Sequence, residues 1–349
     1  MHNLQLTEDQ EMIVDTVRKF VADVVAPKAQ ELDEHRTFVQ EQFAGLAELG
    51  VFGLCVGEAA GGVGMGLLPF VAALEAVGAH SSSLARLWIG QVQAALALEA
   101  AGGDLGEVLA GSLVATFVGP EHGVVLEGGR LRGLARVVPA GAEAGLFVVA
   151  AQQNGAAVLV VVPGGEPKRC ALEGLGLASA ACAAVDFTGV AASALASGAA
   201  ASSAIERAQR AAWIGVAASA VGGGLGALAQ AKKHAGERIA FGKPLLVQEA
   251  VQRKLVESRR AIDAARQLAW HAARLADLGQ DAREAALVAR IGAVDAMVLA
   301  ADEAIQIHGG FGYTVEYHVE RHYRDGKMLE VLDGGSESMR NRLAVLQLA

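Results

Sequence analysis

The chain has 349 residues, 53% hydrophobic and 19% charged, enough apolar side chain for more than one core and too much for a disordered chain. Its 29 Lys and Arg against 38 Asp and Glu give a net charge of −9, which excludes the basic face that nucleic acid or an anionic membrane requires. Three cysteines without a C-x-x-C pair exclude a disulfide framework and a thiolate metal knot.

Met1-His2-Asn3-Leu4 has neither a basic stretch nor an apolar one behind it, so no signal peptide is expected there. Thr7-Glu8-Asp9-Gln10 is an N-cap threonine with glutamine three residues on, a capping box, and Ile13, Val17, Phe20, Val21 and Val24 follow at helical spacing. Further helices are expected over about 39–49, closed by Gly50, and over about 68–77 and 82–101. From about 112 the pattern changes to short valine-rich runs at 113–118, 123–126, 131–138, 146–151, 157–162 and 183–187, parted by Gly and Pro. That pattern predicts a small antiparallel β domain. From about 201 the chain is helical again, with Val247, Val251, Leu255, Ile262, Ala265, Ala269 and Ala272 on one face and a long helix from about 281 to 308. Residues 211–231 carry no charge, but their alanine and glycine gain little from lipid, so a helix buried in a bundle is expected and not a membrane span. The fold class is thus α+β: an N-terminal helical domain (1–111), a small β-barrel or sandwich (112–198) and a C-terminal four-helix bundle (199–349).

Three segments then resemble the acyl-CoA dehydrogenase family, in the family's order and spacing. Arg238-Ile239-Ala240-Phe241-Gly242-Lys243-Pro244-Leu245 is similar to its R-x-x-F-G-K-P-L. Ile305-Gln306-Ile307-His308-Gly309-Gly310-Phe311-Gly312-Tyr313 is similar to its Q-I-x-G-G-x-G-Y turn, and Glu320-Arg321-His322-Tyr323-Arg324-Asp325-Gly326-Lys327 to its E-R-x-Y-R-D-x-K. The resemblance implies FAD held between subunits. Arg238 and Phe241 would reach the partner's flavin, the Gln306/Gly309-Gly310 turn its pyrophosphate, and Gly335 and Glu337 the adenine end. It implies removal of an α proton from an acyl-CoA thioester with hydride transfer to the flavin, and electrons passed to an electron-transfer flavoprotein. A cytoplasmic homodimer, homotetramer or heteromer acting in fatty acid metabolism is expected.

The family's base is a glutamate, and here that position carries Asp333, shorter by one methylene, ~1.5 Å. A misplacement of ~1 Å can cost ~100-fold. The alternative base position on the first C-terminal helix is Ala212, and Glu330 is a weaker candidate three residues before Asp333. The positions whose tryptophan and threonine lie against the flavin read Val137 and Pro139, a Gly-Ser-Asp loop is missing, and Glu249 and Glu337 replace neutral amides. Three readings follow: a dehydrogenase with Asp333 as base, a non-catalytic partner subunit of a heteromeric dehydrogenase, or a nitroalkane-oxidase-like flavin oxidase with an aspartate base. His318 and His322 stand at i, i+4, but without a third ligand no metal site is expected.

Overall fold

The computed structural model describes residues 4–348, so the expectation for Met1 to Asn3 lies outside the described residues. Helix α1 (Glu8–Phe20) opens with the capping box as expected. Thr7 Oγ1 accepts from the Gln10 N–H at 3.3 Å, and Gln10 Oε1 accepts from the Thr7 N–H at 3.0 Å. Such a cap stabilises a helix by roughly 1 kcal/mol. The helix widens into a π turn at Val21–Val25 ahead of Pro27, which has no N–H to extend a ladder. Helices α2 (Ala29–Glu34) and α3 (Gln40–Glu48) follow, the latter leading to Gly50 in the left-handed region at φ 71°. Then come α4 (Leu67–Gly78), α5 (Ser82–Ala101) and the short α6 (Gly106–Leu109). The first N–H groups of α4 have no local cap. Asp277, some two hundred residues away, accepts from Leu67 N at 2.6 Å and Leu68 N at 3.0 Å.

The middle block holds β1 (Ala115–Val118), β2 (Val125–Glu127), β3 (Arg130–Arg132), β4 (Leu134–Val138), β5 (Leu146–Gln153), β6 (Ala156–Pro163), β7 (Lys168–Ala171), β8 (Ala183–Asp186) and β9 (Ala194–Ser197). One sheet runs β3-β2-β5-β6-β9 with β1 also on β5, and a second runs β4-β8-β7. The expectation of a purely antiparallel domain is corrected here, because β1 and β2 both pair with β5 in parallel. The run at 131–138 is two strands, broken at Gly133, whose φ of 147° belongs to glycine. Strands β7 and β9 lie where no run was expected: β7 is exposed to partly buried and β9 mostly exposed, so neither carries an apolar pattern.

The C-terminal block is α7 (Gly198–Glu237), a hairpin of β10 (Ile239–Ala240) and β11 (Lys243–Pro244), α8 (Glu249–Asp277), α9 (Arg283–His308), α10 (Val319–Val331) and α11 (Gly335–Leu348). Helix α7 is long and apolar enough to cross a membrane, yet 89% of its most apolar stretch is buried inside the fold. Its glycines let other backbones touch it. A Cβ on Gly222 would stand 2.2 Å from the Glu75 carbonyl oxygen of α4, and one on Gly226 2.3 Å from that of Ala79. Close helix contact without large side chains is what the alanine- and glycine-rich composition provides. One apolar core joins the N-terminal helices to α7, α8 and α9, and a smaller one fills the β domain around Phe147 and Phe187.

Candidate active site

Asp333 lies in the link between α10 and α11, in left-handed backbone (φ 57°, ψ 34°) that a non-glycine residue adopts only under constraint. Two buried arginines supply the constraint. Arg86 of α5 donates from Nη2 to Asp333 Oδ1 at 2.9 Å, and Arg290 of α9 brings its Nη2 to 3.6 Å from Oδ2. Arg290 also donates to the Leu332 and Leu329 carbonyls at 2.8 and 3.2 Å, which fixes the backbone on which Asp333 sits. Burial by itself pushes the Asp333 carboxyl up. Arg86, Arg290 and His122 together outweigh it and hold the group below the usual carboxylate range. Asp333 is therefore an ion-paired anion at the heart of a charge cluster, whereas a general base for an α proton gains from a raised pKa.

The space in front of Asp333 is filled. Glu121 and His122, from the turn after β1, reach across the cleft, and a Cβ on Gly334 would touch the Glu121 Cβ at 3.4 Å. The cavity left among Gln93, Phe117, Glu121, Ala212, Trp213 and Asp333 is about 10 Å3, room for one water at most. Small-molecule sites occupy on the order of 300–1,000 Å3. Trp213, 7% exposed and beneath the Arg342 guanidinium at 5.8 Å, separates this remnant from an outer pocket of about 330 Å3 lined by Gln209, Leu287, Val345 and Leu346. Pro139 gives its carbonyl to Thr116 Oγ1 at 2.9 Å and has no N–H to offer the cleft. This remnant is too small for a small molecule, and Val137 and Pro139 are not among the residues that line it. Glu121 is itself perturbed: burial first, and then the charge of Asp333, raises its carboxyl to about 7.

The other expected residues gather elsewhere. Arg238 and Phe241 belong to the β10–β11 hairpin, whose two-residue turn has φ 54° at Phe241 and φ 77° at Gly242, positive at both as a tight hairpin requires. Phe241 stands 96% exposed at its tip. Gln306 ends α9, and Gly309 follows at φ 64°, ψ −142°, with open space where a Cβ on either Gly309 or Gly310 would be. The two features share one end of the bundle, because His234 of α7 and His308 of α9 stack at 4.2 Å. That end offers an arginine, an exposed ring and open glycine backbone, a set that fits a phosphate-bearing ligand presented from outside. Arg290, at Asp333, and Gln306 are sixteen residues apart on α9, or ~24 Å. The structure thus keeps Asp333 and the Gly309-Gly310 turn of one chain apart. Gly335 (φ 83°) turns the chain into α11, and Glu337 faces solvent, paired with Arg340 at 2.9 Å. Glu330 is paired with Lys327 and does not reach Asp333. Glu249 opens α8 at the surface.

The third segment ties the domains together. Arg324 binds Asp33 of α2 at 2.5 Å and Glu320 at 3.0 Å, while Asp325 accepts from Leu177 N of the β block at 2.6 Å. His318 pairs with Glu34 at 2.8 Å and His322 faces Gln230 at 3.2 Å, so the two histidines diverge. Sequence reasoning missed Arg86, Arg290, Glu121, His122 and the plugging role of Trp213. One signal was present: Arg86 is the lone charge between Ser82 and Leu98, inside a helix otherwise apolar or neutral.

Residues 7–104 match the acyl-CoA dehydrogenase N-terminal domain and residues 194–346 the acyl-CoA dehydrogenase C-terminal domain. The chain belongs to the acyl-CoA dehydrogenase family, a family of oxidoreductases. The NADH-dependent acryloyl-CoA reductase of Anaerotignum propionicum is 29% identical, over 96% of this chain and 93% of that one. A chain in the structure of the electron transferring flavoprotein of Acidaminococcus fermentans superposes with TM-score 0.91 at 27% identity, covering 99% of this chain and 100% of that chain. Butyryl-CoA dehydrogenase of Megasphaera elsdenii shares the fold, at TM-score 0.90 and 24% identity over the whole of both chains. The segment between the two matched domains, 105–193, contains Glu121, Val137 and Pro139.

Proposed function

We propose that this chain is a subunit of an FAD-dependent acyl-CoA dehydrogenase, whose assembly removes the α and β hydrogens of an acyl-CoA thioester and passes the electrons to an electron-transfer flavoprotein. FAD would supply hydride acceptance to that assembly. This chain's part is to hold the flavin of a neighbouring subunit: Arg238 and the Gly309-Gly310 backbone for its phosphates, Gln306 beside them, and Phe241 as an apolar cover. The neighbour is a homologous chain with an open cleft and its own base. We place the assembly in the cytoplasm and in the degradation of acyl-CoA thioesters.

One observation carries this reading: Asp333 is clamped between Arg86 and Arg290 beside a remnant cavity of about 10 Å3, while the Arg238 and Gly309-Gly310 end stands open. The same clamp weighs against a nitroalkane-type oxidase with Asp333 as base. The test is flavin content and bleaching. Purified alone, the chain stays colourless with added FAD. Co-expressed with a full-length homologue of its own genome, it yields a yellow complex with one flavin per pair of chains, bleached anaerobically by acyl-CoA. Stoichiometric flavin in the isolated chain, bleached by acyl-CoA and lost to bleaching in Asp333→Asn, would replace this reading with a self-sufficient dehydrogenase.

A further inference from the structure

A separate cavity of about 360 Å3 opens where the ends of α7 and α9 meet the N-terminal helices. It adjoins the Arg238 and Gly309-Gly310 surface through His234 and His308, while Arg321, Lys233 and His80 have no part in the dehydrogenase reading. Its wall carries His80, Lys233, His234, His308, His318 and Arg321. Against these stand Glu237 at the rim and Glu34, which is already paired with His318. Arg321 decides the character of the site. It is 8% exposed and lines the cavity. Asp325, one helical turn on, is committed to the Leu177 N–H on the β side. Asp325 is the carboxylate that acts on Arg321, and it is shared with Arg324 and the Leu177 N–H, so a further anion in the cavity would gain charge-assisted, forked hydrogen bonds from Arg321.

The rest of the wall is flat and aromatic. His234 and His308 stack at 4.2 Å, and Tyr317 stands edge-on to both at 5.9 and 5.8 Å. The volume is within the range of small-molecule sites and larger than an inorganic anion needs. Burial and then the neighbouring His308 and Arg238 hold His234 below the ordinary imidazole range, and burial and then Arg321 do the same for His80. Both shifts mark a positive field that an anion would relieve.

We propose that this cavity binds a phosphate group carried on a nucleotide-sized small molecule, with Arg321 and Lys233 on the phosphate and the His234–His308–Tyr317 wall against its flat part. The site shares the His234–His308 stack with the flavin-holding end and is told apart from it by Arg321 and Lys233. The test is calorimetric titration of the full chain with AMP and, separately, with inorganic phosphate. AMP is expected to bind saturably at one per chain. Phosphate alone competes more weakly; if it binds as tightly as AMP, the flat part plays no role and the proposal fails in that respect. Arg321→Gln is expected to weaken AMP by about tenfold or more. Lys233→Glu, at an exposed position with no folding cost, weakens it several-fold. Circular dichroism and thermal unfolding verify that Arg321→Gln is folded, and Lys233→Glu decides the matter if it is not. No saturable binding, binding unchanged in Lys233→Glu, or binding abolished by Arg238→Ala but kept in Arg321→Gln overturns the proposal. The last result would put the anion on the Arg238 and Gly309-Gly310 surface.

Discussion

Glu121 offers the most direct test of how the cleft is filled. Its side chain is 14% exposed, and burial and the charge of Asp333 raise its pKa from 4.5 to about 7. A carboxyl with a raised folded pKa keeps its proton in the folded state after the unfolded chain has lost it. Its contribution is fully present below pH 4.5 and is lost as the pH rises through about 7. At 1.36 kcal/mol per pH unit, ionised Glu121 costs the folded state about 3 kcal/mol at pH 8.5 and about 1 kcal/mol at pH 5. Glu121→Gln keeps the shape and removes the charge, so it should stabilise by those amounts. With about 2.1 cal/mol/K of unfolding entropy per residue, a chain of 349 residues has about 0.7 kcal/mol/K. Glu121→Gln should therefore raise Tm by about 4 °C at pH 8.5 and by about 1 °C at pH 5. Paired thermal unfolding curves followed by circular dichroism measure this. An equal shift at both pH values, or a less stable variant at pH 8.5, would refute a buried Glu121 forced against Asp333.

Asp333→Asn leaves Arg86 and Arg290 buried without their carboxylate and should cost about 3–5 kcal/mol, read from denaturant unfolding. A neutral change would mean that the two arginines do not depend on it. Gly222→Ala drives a methyl into the Glu75 carbonyl, 2.2 Å away, and should destabilise by about 1–3 kcal/mol as α4 and α7 are pushed apart. An unchanged Tm would refute that contact. Arg238→Ala and Phe241→Ser alter exposed residues, so the isolated chain should melt as the wild type does while the flavin content of the assembled complex falls. Full flavin retention in both variants would remove this surface from the site.

The architecture was legible because helix periodicity, caps and the change to valine-rich runs are local properties of the chain. The capping box at Thr7, the Gly50 terminus and the buried α7 all follow from residue spacing and side-chain size. The edge and exposed strands β7 and β9 were not legible, since they bury too little to leave an apolar pattern. The parallel pairing of β1 and β2 with β5 is a choice of partner that no single strand records.

The same division holds at the site. By itself the sequence determined the family, since that is a matter of which residue follows which. It also marked Val137, Pro139 and Asp333 as departures from the pattern. Only the tertiary structure decided what the departures do. Arg86, Glu121, Arg290 and Asp333 come from four distant parts of the chain, and their charges meet only because α5, α9, the β1 turn and the α10–α11 link are packed together. Coulomb interaction and desolvation depend on distance in space and on exclusion of water, and neither is written in the order of residues. The order of residues supplied a carboxylate, and packing made it an ion-paired anion.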